Sequence, residues 1–221
     1  FLASELLRLG VEPARIAIVG DNPAELEAAL QEGMRADLCL VSGGLGPTHD
    51  DRTVELVARV AGATLVLDSV LEAEIEDVSR RIAERLRRPY ADFEAGVRKQ
   101  ATLPEGAESL GLAGTAPGFV LEGASTVVVL PGPPPELRRL WPRALETEAV
   151  RRVLEGAHAP DRRVLRFYGA SESEIARALA ESGGDGDGVQ ATICAREFEI
   201  HVDLMVEPGG EERAEDLAGA L

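Results

Sequence analysis

Ser42-Gly43-Gly44-Leu45-Gly46-Pro47-Thr48-His49-Asp50-Asp51 places three glycines in four positions between two apolar runs, and its reading decides the fold. Before it, Asp37-Leu38-Cys39-Leu40-Val41 is short, apolar and bounded by turn residues, which predicts a parallel strand buried on both faces. After it, the run from Thr53 to Val60 carries apolar residues at 54, 56, 57 and 60, the stripe of an amphipathic helix. A buried strand that hands over to a helix through a nearly bare loop belongs to an α/β fold. The glycines allow positive φ and close approach of a ligand, and the helix N-terminus behind them favours anions through its amides and dipole. The loop therefore reads as a cradle for phosphate or carboxylate. The plainer alternative is a tight turn in which Asp50 or Asp51 caps the helix.

A chain of 221 residues with 45 % hydrophobic content can bury a core of one or two domains. Its formal net charge of -16 argues against a nucleic-acid backbone or an anionic membrane as partner. No apolar run approaches the roughly 20 residues that span a bilayer, and no basic-then-apolar leader is present, so a soluble, cytoplasmic protein is expected. Cys39 and Cys194 each lie in a strand-like run, far apart, and read as buried reduced thiols without metal-ligand spacing. Lys99 is the one lysine among 23 basic residues, and Asn22 is the one asparagine. A compact ammonium cannot be mimicked by the planar fork of arginine, so Lys99 is a candidate for a role that needs a point charge.

Outward from the loop, Phe1 to Leu9 reads as a helix stopped by Gly10, and Arg15-Ile16-Ala17-Ile18-Val19 as a strand. A helix feeding a first parallel strand is an unusual start, and it leads us to expect a further strand and loop upstream of Phe1. Asn22, Pro23 and Glu25 make a helix-start signature, and Asp21 stands at the carboxyl end of the expected strand, on the edge where open α/β sheets bind ligands. Thr64 to Leu67 is a short edge strand and Ser69 to Arg87 a long charged helix. Periodicity fades from Arg88 to Thr115, which predicts an irregular, ordered and functional segment containing Lys99. Gly118 to Leu121 and Thr126 to Leu130 are strands, and Pro135 opens a helix with Glu136 in its first turn and Pro142 as a kink or true start. A linker is expected at 155–161. Beyond it come a strand from Arg163 to Tyr168, a helix capped by Ser171 with Glu174, a Gly/Asp loop at 183–188 that lacks the ligand spacing of a calcium site, a hairpin at 189–206 and a last helix.

Four motifs can now be read together: Gly43 to Asp51, Arg98-Lys99-Gln100-Ala101, Gly114-Thr115-Ala116-Pro117-Gly118-Phe119, and Leu130-Pro131-Gly132-Pro133-Pro134-Pro135-Glu136. In this order and spacing, with Gly20-Asp21-Asn22 before them, they resemble the N-terminal domain of the competence/damage-inducible protein CinA family, a relative of the molybdopterin-binding domains. The resemblance covers residues 1–150 and continues more weakly through 160–221, similar to the small middle domain of that family. It implies a three-layer α/β/α sandwich with a mostly parallel sheet, plus a small C-terminal α+β domain. It also implies that an upstream strand and a Gly-Thr-Glu-Leu-type loop belong to the same site, so that 1–150 is a domain lacking its first strand. The nicotinamide mononucleotide deamidase domain that many members carry further on is not transferred to this chain.

The activity implied by the resemblance is metal-dependent hydrolysis of the pyrophosphate bond of ADP-ribose to AMP and ribose 5-phosphate, with cobalt or magnesium and stimulation by potassium. Such a reaction needs positioning and neutralised phosphoryl charge. The amides of Gly43, Gly44, Leu45 and Gly46 would hold one phosphate, and Pro47, Thr48 and Asp50 would belong to the same substrate-binding site. Asp51 and Asp21 would hold the metal with its attacking water, and Lys99 would meet the other phosphate. Gln100 and Thr115 would position the ligand, and Pro131, Gly132 and Glu136 would shape the far wall. His49, in a wet loop, is as often a bystander as a base. The expected partners are a small nucleotide and further copies of the chain, not nucleic acid or membrane. Two rival readings remain: a module that binds pterin, molybdopterin or nucleotide without hydrolysis, and a scaffold in which 160–221 drives assembly.

Overall fold

The computed structural model describes residues 1–157 and 161–221, and the chain divides into two units: Ile16–Glu155, and Phe1–Arg15 with Gly156–Leu221. The expected linker at 155–161 and the start of the 160–221 segment fall partly outside the described residues.

The larger unit begins with α2 (Pro23–Gly33), following α1 (Leu2–Arg8) of the other unit. Asn22 caps α2 as its sequence predicts, its Oδ1 accepting from the Ala24 amide at 3.0 Å. Then come β1 (Leu38–Ser42), α3 (Thr53–Ala61), β2 (Leu65–Leu67), α4 (Ser69–Leu86), α5 (Ala91–Gln100), β3 (Thr102–Pro104), β4 (Glu108–Leu112), β5 (Pro117–Leu121), β6 (Thr126–Leu130), α6 (Pro134–Glu146) and α7 (Glu148–Leu154). The main sheet has the order β1-β6-β5-β4, with β1 and β6 parallel and the other two pairings antiparallel.

Every residue of β5 and β6 is buried, which requires cover on both faces. Phe119, Leu121, Val127 and Val129 share one core with Leu30, Leu56, Leu71 and Ile75 from α2, α3 and α4. The alternate residues face the other way, where α6 packs on β4, β5 and β6 and α7 on β5 and β6. The result is a three-layer α/β/α sandwich. Because β1 and β6 run parallel in register, from Leu38 opposite Thr126 to Ser42 opposite Leu130, the loops that leave their carboxyl ends emerge side by side.

The structure departs from the sequence expectations in four places in this unit. Arg15 to Val19 forms no strand, for no strand of the described residues offers it a ladder, and Ile16 and Ile18 are 72 % and 100 % exposed. The short strand expected at 64–67 pairs with β3 in a ribbon of its own, Val66 opposite Leu103. The segment 88–115 is not irregular but contains α5, β3 and β4; the inward face of α5 presents Gly96 and the buried Gln100 beside Val97, so it lacks an apolar stripe. Finally, α6 starts at Pro134, and Pro142 lies inside it.

In the second unit, β7 (Asp161–Tyr168), β8 (Val189–Arg196) and β9 (Glu199–Val206) form an antiparallel sheet in the order β7-β9-β8. Alternation along β9 buries Ile200, Val202, Leu204 and Val206 against Ile175 of α8 (Glu172–Glu181) and Leu217 of α9 (Glu211–Ala220). Cys194 is only half-buried, whereas Cys39 is buried as expected, and burial pushes its thiol pKa up. Glu197 and Phe198 make the two-residue turn between β8 and β9 with φ of 47° and 70°, a turn normally given to Asn-Gly.

Ser171 and Glu174 form a complete capping box on α8, Glu174 Oε2 accepting from the Ser171 amide at 2.8 Å. Ser171→Ala is expected to cost about 1 kcal/mol, read by thermal melting. The Ser171 amide, then its hydroxyl, hold the Glu174 carboxyl below the ordinary range. A depressed carboxylate stabilises above its unfolded pKa of about 4.3, and that contribution is lost as pH falls through the lower folded value. The deficit of Glu174→Gln should therefore be full at neutral pH and fade on acidification.

Candidate functional site

The loop after β1 is held by β6 at one end and by α3 at the other. The Gly43 amide donates to the Leu130 carbonyl at 3.0 Å and the Ser42 hydroxyl to the Pro131 carbonyl at 3.3 Å, so the chain leaves the sheet still paired. Gly44, at φ 67°, accepts at its carbonyl from the Thr53 amide at 3.2 Å, and a Cβ there would stand 2.2 Å from Thr53 Oγ1. The loop therefore closes directly on the first residue of α3. Asp51 does not cap that helix. Arg52 is the N-cap residue and its side chain makes no capping bond to the helix amides, while Asp51 Oδ2 turns back to accept from the Thr48 amide at 3.1 Å and from the Thr48 hydroxyl. A Cβ on Gly46 would meet that oxygen at 2.3 Å, which is why a glycine sits there.

One face of α5 fastens the loop from the other side. Gly96, Lys99 and Gln100 are spaced three and four apart and so share a face. Pro47 lies against Gly96, where a Cβ would come within 2.6 Å of the proline ring. Gln100, 6 % exposed, donates from Nε2 to the Leu45 carbonyl at 2.9 Å. Lys99 donates to the carbonyls of Thr48 and Asp51, the latter at 2.7 Å. The lone lysine thus holds the 48–51 turn shut, and two of its three donors are spent on that task.

The loop, α3 and α5 enclose a cavity of about 380 Å³. Of the residues singled out by sequence, Gly44, Leu45, Gly46, His49, Asp51, Lys99 and Gln100 line it. Among the described residues the amides of Val54 and Glu55, on the same wall, carry no hydrogen bond. This is the open N-terminus of a helix, suited to anionic oxygen. Asp50 is exposed, and the Thr48 hydroxyl, then its own backbone amide, hold its carboxyl below the usual range, with His49 and Lys99 adding attraction. His49 is fully exposed.

The remaining predicted residues lie outside the cavity wall. Gly132 lies against Gly43, with 3.4 Å from a built Cβ to the Gly43 Cα, so Pro131 and Gly132 buttress the start of the loop. The Glu136 carboxylate covers Gly114, beside Thr115. Asp21 is exposed, and among the described residues no hydrogen bond or ion pair joins it to the loop. Nor do three His, Cys, Asp or Glu side chains cluster as a metal site among those residues. A hard ion bound by one carboxylate and by phosphate oxygens needs no such cluster, and Asp51 Oδ1, without a hydrogen-bond partner among the described residues, fits that manner of binding.

Residues 1–151 match the family model described as a probable molybdopterin binding domain. The chain belongs to this family, in its CinA-like branch. A CinA-like protein of Mycobacterium sp. (strain JLS) is 44 % identical over 221 residues, covering 96 % of this chain and 52 % of the relative. One from Mycobacterium tuberculosis is 40 % identical over 232 residues, covering 100 % of this chain and 54 % of the relative. The chain thus spans about half the length of the curated relatives it matches. The crystal structure of a CinA protein of unknown function from Thermoplasma acidophilum aligns with a TM-score of 0.53 at 32 % identity, over 67 % of this chain and 83 % of that one. The four motifs point to the family, but they do not include Arg52 and Glu55, which also line the cavity. Their signal is a cation directly after the loop motif with a carboxylate three residues on, at the start of a helix.

Proposed function

We propose that this family member binds a nucleotide diphosphate across the Gly44–Gly46 loop and the N-terminus of α3, and hydrolyses the pyrophosphate bond of ADP-ribose to AMP and ribose 5-phosphate. The observation that carries this reading is the pair of unbonded amides of Val54 and Glu55, opening with the glycines into one cavity. Amides and a helix dipole fixed before the ligand arrives stabilise phosphoryl charge without reorganising. Gln100 and Lys99 act on the ligand through the loop, which they hold in the shape that presents those amides. A divalent ion such as magnesium or cobalt, held by Asp51 Oδ1 and substrate oxygens, would supply Lewis-acid neutralisation of the phosphoryl charge.

A second reading, binding of a pterin-type ligand without turnover, is favoured by the family description and by the engagement of Lys99 with carbonyls. Release of AMP from ADP-ribose with magnesium or cobalt, beside an EDTA control, separates the two. It should be measured on this chain. Metal-dependent AMP release, reduced at least about tenfold in Asp51→Asn, is the expected result. Tight pterin binding with no AMP released with either metal would replace hydrolysis by the second reading.

A further inference from the structure

We propose that Arg52 is the side chain of this site that grips a phosphate group, and that Glu55 holds it in reserve; the inference rests on the nucleotide-binding reading above. Lys99, the obvious cation, is committed to two carbonyls of the loop. Arg52 also lines the cavity, at the N-cap of α3 beside the unbonded amides of Val54 and Glu55. Its Nε and Nη2 meet the two Glu55 oxygens at 3.1 and 2.8 Å, which leaves Nη1 without a partner among the described residues. The pair is partly exposed, so water screens it and little is lost when it opens.

Glu55 is prepared for the exchange. Its Oε1 also accepts from Arg59 Nη2 at 2.7 Å, and Arg59 reaches on to Glu27 at 3.2 Å. When Arg52 swings from Glu55 to a phosphate, Glu55 therefore keeps a cationic partner and is not orphaned. The guanidinium exchanges one planar pair of oxygens for another, since its fork matches carboxylate and phosphate alike. A pyrophosphate would then take the helix amides on one side and Arg52 on the other.

Titration calorimetry of the full chain with ADP-ribose, and separately with inorganic pyrophosphate, tests this through two substitutions of opposite expected sign. Arg52→Ala should weaken both ligands about tenfold, with Arg52→Lys between it and the unmutated chain, because a lysine offers charge without the fork. Glu55→Gln should tighten both about threefold at low salt, because the competing carboxylate is gone. Thermal melting of each variant separates folding from binding. If Arg52 only braces the helix start, both substitutions weaken binding together with stability, and the proposal falls. It falls equally if the chain binds ADP-ribose and Arg52→Ala leaves the affinity unchanged. Failure of the unmutated chain to bind either probe overturns the underlying site reading instead, and the assignment of Arg52 with it.

Discussion

Gly44→Val is expected to abolish ADP-ribose binding, by more than about a hundredfold in Kd, and to destabilise the larger unit by about 2–5 kcal/mol. Two costs add. At φ 67° the residue occupies the left-handed region, where a β-branched side chain is strained by about 1–2 kcal/mol. Its Cβ would also stand 2.2 Å from Thr53 Oγ1 and 3.2 Å from Thr53 Cβ. Thr53 cannot step aside, since it is buried and its amide bonds the Gly44 carbonyl itself. Relief must therefore come from moving the loop off α3, which dismantles the wall of the cavity. Gly20→Ala is the matched control: nothing stands within 4 Å of a Cβ there, and its backbone needs no positive φ. Calorimetry with ADP-ribose and thermal melting of both variants make the comparison, and a Gly44→Val chain that binds as before would show that the loop does not form the site.

What could be read from the sequence was whatever is encoded locally. The glycine spacing announced the loop, and Asn22-Pro23 announced the start of α2 within one turn. The two-faced burial of β6 followed from its unbroken Thr-Val-Val-Val-Leu. The inward face of α5 was hidden, because its work is done by a glycine that admits Pro47 and a glutamine that meets a carbonyl, neither of which raises an apolar period. The targets of Lys99 lie 51 and 48 residues away and are backbone atoms, which carry no residue type for a pattern to find. Scarcity marked the lysine as special but suggested a phosphate as its partner. Arg15 to Val19 erred the other way: a strand pattern is a statement about one chain segment, while a strand needs a neighbour.

The engagement of Lys99 sets the second large effect. Lys99→Met should lower stability by about 1.5–3 kcal/mol, the worth of hydrogen bonds made by a charged donor, and should weaken ADP-ribose binding at least about tenfold through the loop. Thr48 and Asp51 would lose the ammonium that draws their carbonyls together, and the turn that aligns Asp51 with Gly46 would open. Lys99→Arg should restore the charge but not the turn, because a flat guanidinium sends its donors outward in a plane, whereas an ammonium can aim two of them at carbonyls converging on one point. Hydrogen exchange supplies the readout that a ligand-contacting lysine would not move. The amides of Asp51 and Thr53, bonded to Thr48 and Gly44, should exchange faster in both variants with no ligand present. Unchanged melting and exchange, combined with lost binding, would instead return Lys99 to the role of a point charge on the substrate.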